Sequence, residues 1–479
     1  MEGENILKQI IDSKGKISKI GVVGMGYVGI PAAVLFANSE KFEKVYGFQR
    51  NSPTSGYKID MLNRGECPLK GEEPGLEDML REVVNAGKFE CTSDFSRISE
   101  LDAVTLAIQT PFKNPKDLEP DFRALIEGLR MVGKNLSQGT LVVLESTITP
   151  GTTDGMARQI LEDESGLRAG KDFALAHAPE RVMVGRLLKN IQEHDRVVGG
   201  IDDVSTKRAI ELYSPVLTKG KVIPMTARAA EVTKTSENTF RDLQIAAINE
   251  LALYCEAMGI NVYDVREGID SLKGEGITRA ILYPGAGVGG HCLTKDTYHL
   301  ERGVKVTGCP VDYPEGKDSL FVLARNINDF MPRHMYNLTV RALERINKKP
   351  VQAKVAILGW AFINDSDDAR NTPSEVYRDL LLKDGARVEV HDPYVLDYPN
   401  VPISHDLGSV LKGADAVAIF AGHKEYMALH APHVKKMVGN AHTIAILDGR
   451  NVVDPDEFIS KGFVYKGIGR GDKNEHPLN

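Results

Sequence analysis

The chain lacks the basic excess of a protein that tracks nucleic-acid phosphates: 59 Lys and Arg stand against 66 Asp and Glu, a formal net charge of −7. Nucleic-acid surfaces need concentrated positive charge, so nucleic acid is not an expected partner. Cysteines are few: Cys67, Cys91, Cys255, Cys292 and Cys309 are odd in number, widely spaced and form no C-x-x-C pair. That spacing argues against a disulfide framework or a zinc site, and no metal is expected. No run of 18 apolar residues occurs, and the opening MEGENILKQIIDSKGKISK mixes charges where a signal peptide would have an apolar core. A membrane span and secretion are therefore not expected, and the cytoplasm is the expected compartment. Low-complexity segments and short-period repeats are also missing. What these absences leave is small-molecule chemistry on a soluble globular chain.

At 479 residues the chain is long enough for about three domains. The first part alternates helical patterns with short apolar runs, IGVVG, KVYGF, DAVTLAI, TLVVLES and DFALAHAP. Such alternation predicts a parallel sheet covered on both faces. From Thr226 to Met258 there is no Pro or Gly, which predicts one long helix with Thr226 as its cap. A further helical pattern lies at FVLARNINDFM, and strand-like runs resume at KVAILGW, RVEVHDP, DAVAIFAG and TIAILDGR. The expected fold is α/β, with two doubly wound Rossmann-like domains at 1–203 and 336–479. A helical middle at 204–335, carrying one spine helix, would join them.

Gly24, Gly26 and Gly29 follow an apolar strand and open an apolar helix. In that context the first glycine permits a tight turn, the second lets the backbone approach a pyrophosphate, and the third allows close helix packing. Met25, Tyr27 and Val28 complete this dinucleotide loop, and the helix N-terminus favours the anion. The second strand should end in an acid for the adenosine ribose, but Gln49 and Arg50 stand there. An amide can still bond a ribose hydroxyl, while Arg50 could meet a 2′-phosphate. NAD is the expected cofactor and NADP the alternative.

PGAGVGGHCLTKD, at 284–296, contains a second literal G-x-G-x-x-G, but no clear strand precedes it. Its glycines are better read as backbone that can lie close to a ligand. Cys292 is then expected at the start of a helical stretch, where the helix end and Lys295 would favour thiolate, with His291 and Asp296 nearby. The other four cysteines read as small buried hydrophobes. On the long helix, Glu231, Lys234, Asn238 and Arg241 recur at spacings of three and four and share a face. Such a stripe is either a solvated surface or, with a Lys and an Asn together, a place where a substrate hydroxyl loses its proton. A nicotinamide site joined to a reactive thiol points beyond a simple alcohol dehydrogenase. A thiol that traps an aldehyde lets a second hydride leave, giving a thioester that water converts to an acid.

These residues resemble the UDP-glucose/GDP-mannose dehydrogenase family over nearly the whole chain. GMGYVG, LESTITPGTT, APERVMVGR, AEVTKTSENTF, PGAGVGGHCLTKD, GWAFINDSDDARNTPS and LDGRN occur in the family's order. The resemblance implies oxidation of C6 of a nucleotide-linked sugar with two NAD. It places the nucleophile on Cys292, the catalytic lysine on Lys234 with Asn238 beside it, and carboxylates on Glu180 and Asp296. Thr147 matches a threonine near the nicotinamide and Thr110 another cofactor contact. Arg370 matches an arginine that reaches the nucleotide sugar. Arg181 and Val182 resemble the branch acting on N-acetylated sugars, UDP-N-acetylmannosamine and its relatives, more than the UDP-glucose branch. Arg241, Gly289 and Phe362 complete the implied substrate contacts, the last domain would bind UDP, and a homodimer through the central helix is implied. Three positions depart from the family: Gln49 for the ribose acid, Ile363 for a lysine after Phe362, and Thr294 for a proline. UDP-glucose or GDP-mannose oxidation, and a silent nucleotide-sugar-binding protein, remain the alternatives.

Overall fold

The computed structural model describes residues 2–69, 73–114, 118–181, 185–273, 281–308, 319–439 and 443–474. Val182 and Cys309 lie outside the described residues. By packing, the chain divides into two compact units, Met1–Glu237 with Tyr298–Asp312, and Asn238–Thr297 with Tyr313–Asn479.

In the first unit, β1 (Lys19–Val23), β2 (Lys44–Phe48), β3 (Phe89–Thr92), β4 (Ala103–Leu106), β7 (Leu141–Leu144), β8 (Ala174–His177), β9 (Arg196–Gly200) and β10 (Val222–Thr226) form one sheet; β5 (Phe112–Asn114) and β6 (Glu119–Pro120) form a small hairpin. Their spatial order is β10-β9-β8-β7-β4-β1-β2-β3. Neighbours are parallel except β8 and β9. Alternate residues feed opposite faces: Leu141 and Val143 join one apolar cluster, Val142 and Leu144 the other. That two-sided burial explains why the central strands are continuously apolar in sequence.

The second unit holds β11 (Lys354–Leu358), β12 (Arg387–His391), β13 (Ile403–Ser404), β14 (Ala416–Ile419), β15 (Ala445–Asp448) and β16 (Val464–Gly467), in the spatial order β13-β12-β11-β14-β15-β16. Numbered within its own sheet this is 3-2-1-4-5-6, the doubly wound order. The first sheet repeats it through β3-β2-β1-β4-β7-β8 and adds β9 and β10. In each sheet the order reverses beside the first strand, so a crevice opens at the carboxyl ends of β1 and β4, and of β11 and β14.

The spine helix runs Ala227–Ala257, with Thr226 Oγ1 accepting from Ala229 N–H and Gly259 (φ +70°) beyond its end. Its Glu237 and Asn238 belong to different units. FVLARNINDFM proves to be the start of a longer helix, Leu320–Arg345, which continues through Pro332. CLTKDTYHLERG also differs from expectation: the helix begins at Asp296 and ends at Thr307, and Cys292 sits one turn before it. Residues 281–291 include no strand.

Candidate active site

The first-unit crevice is shaped by its glycines. Gly24 has φ +100°, and a Cβ there would stand 2.6 Å from the Ala107 carbonyl oxygen. At Gly29 a Cβ would lie 1.9 Å from the Gly24 carbonyl oxygen, whereas at Gly26 it would meet nothing within 4 Å. A tight turn at Gly24, close packing at Gly29 and open space at Gly26 are the geometry that a dinucleotide loop requires. The helix Gly29–Asn38 has no side-chain cap, although Ile30 and Ala32 N–H already donate to the Gly26 and Val28 carbonyls, so what its N-terminus offers an anion is chiefly the positive end of the helix. A cavity of about 310 Å³ runs from this turn past Gln49, Arg50, Ser55 and Lys58 to Ile108 and Gly128. Gln49 Oε1 accepts from Met25 N–H at 3.2 Å and its Nε2 donates to Ser55 Oγ at 3.0 Å. Across the crevice, Ile108 N–H donates to Ser146 Oγ (3.0 Å), and Thr110 Oγ1 donates to the Thr147 carbonyl (2.5 Å).

Past the carboxyl ends of β7 and β8, at the start of the antiparallel β9, lies a buried ionic cluster. Arg196 pairs with Glu145 (3.0 Å) and with Glu180, its guanidinium 4.2 Å over the Tyr213 ring, and the Tyr213 hydroxyl donates to Glu145 at 2.6 Å. Glu180 also accepts from Arg181 N–H at 2.8 Å. The Arg181 guanidinium reaches the Asp195 carbonyl and Glu237. Burial, then the charges of Arg196 and Lys234, push His177 down to about 3, so it stays neutral. Lys234 is thereby placed in the neighbourhood of this cluster. Glu231, grouped with it on the expected polar face, is fully buried instead. Its carboxylate accepts from Gly151 N–H (2.6 Å), Thr153 N–H (2.7 Å) and Thr153 Oγ1 (2.6 Å), and so anchors the turn after Thr147.

In the second unit Cys292 is exposed, whereas Cys67, Cys91 and Cys255 have thiols raised by burial, Cys91 to about 12. The Cys292 carbonyl accepts from Lys295 and Asp296 N–H (3.1 and 3.0 Å). Asp296 is fully buried, accepts from Asn238 Nδ2 at 2.5 Å and lies 3.5 Å from Lys295 Nζ. Burial, then Lys295 and Arg370, push His291 down to about 4, which makes it a neutral imidazole at pH 7.

The Cys292 loop is fastened to the segment 359–374. Gly290 N–H donates to the Arg370 carbonyl (2.8 Å), and the Gly290 carbonyl accepts from Thr294 Oγ1 (2.7 Å) and Asn371 Nδ2 (3.2 Å). A Cβ at Gly289 would stand 2.5 Å from Phe362 Cβ, so Gly289 is a packing glycine against Phe362. The Arg370 guanidinium is held two-pronged by Asp368, at 2.8 and 2.5 Å. Thr294 thus closes the loop with its hydroxyl, while Ile363 and Arg241 are exposed.

The turn after β11 is a second version of the turn after β1. Gly359 has φ +99° and donates to the His391 carbonyl at 2.9 Å; Gly24 donates to the Phe48 carbonyl at 3.0 Å. Asp392 then occupies the position of Gln49. Its Oδ2 accepts from Trp360 and Ala361 N–H (2.7 and 2.8 Å), its Oδ1 from Tyr394 and Val395 N–H (2.8 and 3.0 Å). These donors outweigh burial and, with His423, hold Asp392 down to about 2. The backbone donors that a pyrophosphate would need are engaged internally here.

Three family models match in order: the NAD binding domain of the UDP-glucose/GDP-mannose dehydrogenase family at residues 18–217, its central domain at 228–319 and its UDP binding domain at 356–455. The UDP-N-acetyl-D-mannosamine dehydrogenase of Pyrococcus horikoshii is 37% identical over 95% of this chain and 100% of its own. The chain belongs to the UDP-glucose/GDP-mannose dehydrogenase family. It is an NAD-dependent nucleotide-sugar dehydrogenase. The Campylobacter jejuni UDP-N-acetyl-D-mannosamine dehydrogenase is 33% identical over 88% of this chain and 98% of its own. Among solved structures, an NDP-N-acetyl-D-galactosaminuronic acid dehydrogenase from Methanosarcina mazei superposes with a TM-score of 0.92 at 74% identity, over 98% of this chain and 99% of that one.

Within this family member the expected residues fall into two groups. Gly24, Gly26, Gly29, Gln49, Arg50, Thr110, Thr147, Glu180, Arg181 and Lys234 belong to the first unit; Asn238, Arg241, Gly289, Cys292, Asp296, Phe362 and Arg370 to the second. Sequence reasoning missed Glu145, Arg196, Asp392 and Asn371. An acid ending the apolar run TLVVLE was the one available signal for Glu145.

Proposed function

We propose that this chain oxidises C6 of a UDP-linked N-acetylhexosamine (UDP-ManNAc, UDP-GlcNAc or UDP-GalNAc) to the uronic acid in two two-electron steps. Support for the sugar class comes from what the relatives from P. horikoshii, C. jejuni and M. mazei are named for. The observation that carries the chemistry is an exposed Cys292 on a loop hydrogen-bonded to the Arg370 segment and followed by a buried Asp296 that accepts from Asn238.

Gly24, Gly26 and Gly29 would hold NAD, which would supply the hydride acceptor, a fresh NAD replacing NADH between the two oxidations. Lys234, or a water it positions, takes the C6 hydroxyl proton in the first, and Asn238 donates to the developing oxygen charge. Cys292 then adds through Sγ to the C6 aldehyde, its thiol proton leaving to solvent or to a base. The thiohemiacetal gives up the second hydride and becomes a thioester. A water, steered by Thr147 and Glu180, cleaves the C–S bond, releasing carboxylic acid and restoring the thiol. Asp296 orients Asn238 and balances Lys295. The domains 1–203, 204–335 and 336–479 then serve cofactor, chemistry and UDP respectively. Engagement of the Gly359 turn by Asp392 favours UDP over a second dinucleotide there. A homodimer through the spine helix would cover its exposed Phe240 and Tyr254 and the Met258 just past its end. Among the described residues no helix is long and apolar enough to cross a membrane.

Counting NADH per mole of each UDP-sugar consumed tests the reading. Two per sugar are expected; one per sugar removes the thioester, and turnover confined to UDP-glucose or GDP-mannose removes the N-acetylhexosamine.

A further inference from the structure

The charged residues lining the first-unit cavity are Arg50 and Lys58, both cations, with no carboxylate among the lining side chains. A dinucleotide site selects against a 2′-phosphate chiefly by placing an acid at the end of the second strand, where it accepts from the ribose diol and repels the phosphate. Here that position is Gln49, and both ends of its amide are engaged, by Met25 N–H and Ser55 Oγ. The neutral amide repels nothing, and its fixed orientation leaves it little able to replace the acid. Around it stand donors: Arg50, Lys58 Nζ, 3.0 Å from the Met25 carbonyl, and the hydroxyls of Ser52 and Ser55, 2.7 Å apart. Arg50 pairs with Glu127, but both side chains are 52% exposed. An exposed pair of this kind is weakly held and exchanges readily for a better anion. Burial lowers the Lys58 ammonium from its ordinary range, a cost that a phosphate beside it would offset.

We infer that the adenosine end of this site accepts a ribose 2′-phosphate, held by Arg50 and Lys58 with the Ser52 and Ser55 hydroxyls, so that the chain takes NADP as well as NAD. The inference rests on the cofactor domain and is independent of the sugar proposed above.

The test uses the full-length chain, without sugar, and titration calorimetry with 2′,5′-ADP and 5′-AMP, which differ by the 2′-phosphate alone. The 2′-phosphorylated ligand is expected to bind about tenfold tighter at low salt, from one added charge-assisted contact set, and the preference should shrink as ionic strength rises. Arg50→Ala should bring the ratio of the two affinities toward one. Glu127→Gln, which removes the competing acid and leaves the cavity lining intact, should raise the ratio. Equal or weaker binding of 2′,5′-ADP by the parent chain overturns the inference. So does an Arg50→Ala loss that affects both ligands alike, or a Glu127→Gln ratio that does not rise.

Discussion

Gly26→Ala separates the fold of the first crevice from its use. A Cβ at Gly26 meets no protein atom within 4 Å, so the unliganded chain should keep its stability to within about 1 kcal/mol. The same methyl points into the space where a pyrophosphate must come against the Tyr27 and Val28 backbone. Hydrogen bonds to a charged group contribute about 1.5–3 kcal/mol each. Displacing a phosphate from two of them therefore costs about 3–6 kcal/mol, or roughly a hundredfold to ten-thousandfold in NAD affinity. Gly29→Ala should behave in the opposite way: its Cβ would sit 1.9 Å from the Gly24 carbonyl oxygen. Helix and strand must part there, costing about 1–3 kcal/mol or more before any ligand is added. Thermal unfolding of the ligand-free variants, followed by calorimetric titration with NAD, distinguishes the two. A Gly26→Ala chain that binds NAD within about threefold of the parent would refute the reasoning, because the open space would then not be where phosphate lies.

Other perturbations follow from the same geometry. Cys292→Ser should abolish acid formation while leaving the NAD titration unchanged, and continued release of uronic acid would remove the thioester. Lys234→Ala should lower kcat about a hundredfold or more; an unchanged kcat would return Lys234 to an ordinary polar face. Burial is the largest influence on Glu231 and lifts its carboxyl to about 7 from 4.5, against the pull of Thr153 and Gly151. The folded state then holds the extra proton between those values. Its contribution to stability is therefore complete below about pH 4.5 and is lost as pH rises through 7, at most about 3 kcal/mol. Comparing parent and Glu231→Gln unfolding free energies at pH 5 and pH 8 checks this, and a difference that does not move with pH contradicts it. Asn371 sits at φ +51° and ties itself to Gly290 and Thr294. Asn371→Ala should cost about 1–2 kcal/mol and speed iodoacetamide labelling of Cys292; labelling at the parent rate would show that the fastening does not hold the loop.

Most strands legible in the sequence, β1, β2, β4, β7, β8, β11, β14 and β15, are buried almost throughout, because sandwiching between helices forces continuous apolar runs; β12 was legible too, although its first residues are partly exposed. Most strands that escaped are edges or shallow; β9 escaped although buried throughout, its short run ending in two glycines. β3 alternates buried Phe89 and Cys91 with half-buried Glu90 and Thr92; β10 is half exposed and contains Pro224; β13 has two residues. Pro332 marks an expected helix end that packing overrides, since its ring lies where a Cβ on Gly287 would come within 2.9 Å. In the site, the glycine roles were legible because a tight turn and a close approach are local requirements. Arg196 and Glu145, 51 residues apart, and Asn371 and Gly290, 81 apart, meet through the topology alone.

The two turns show how one strand order yields two different sites. Both begin with a glycine near φ +100° that donates to the end of the neighbouring strand. After β1 the next residues are Met25 and Gly26, and the side chain at the following strand end is a neutral Gln49 that takes one N–H. After β11 they are Trp360 and Ala361, and the side chain is Asp392, which takes four N–H groups and is fully buried. A carboxylate that satisfies the turn from within has already supplied the negative charge that an incoming pyrophosphate would bring, and the two anions would repel at hydrogen-bond range. Replacing Asp392 by a neutral amide would not reopen the turn, because Ala361 fills the place that Gly26 leaves empty. The second crevice is thus closed to a dinucleotide by charge and by volume together. Its loop is instead free to carry Phe362 and Arg370 toward the Cys292 segment, to which Gly290 and Asn371 fasten it.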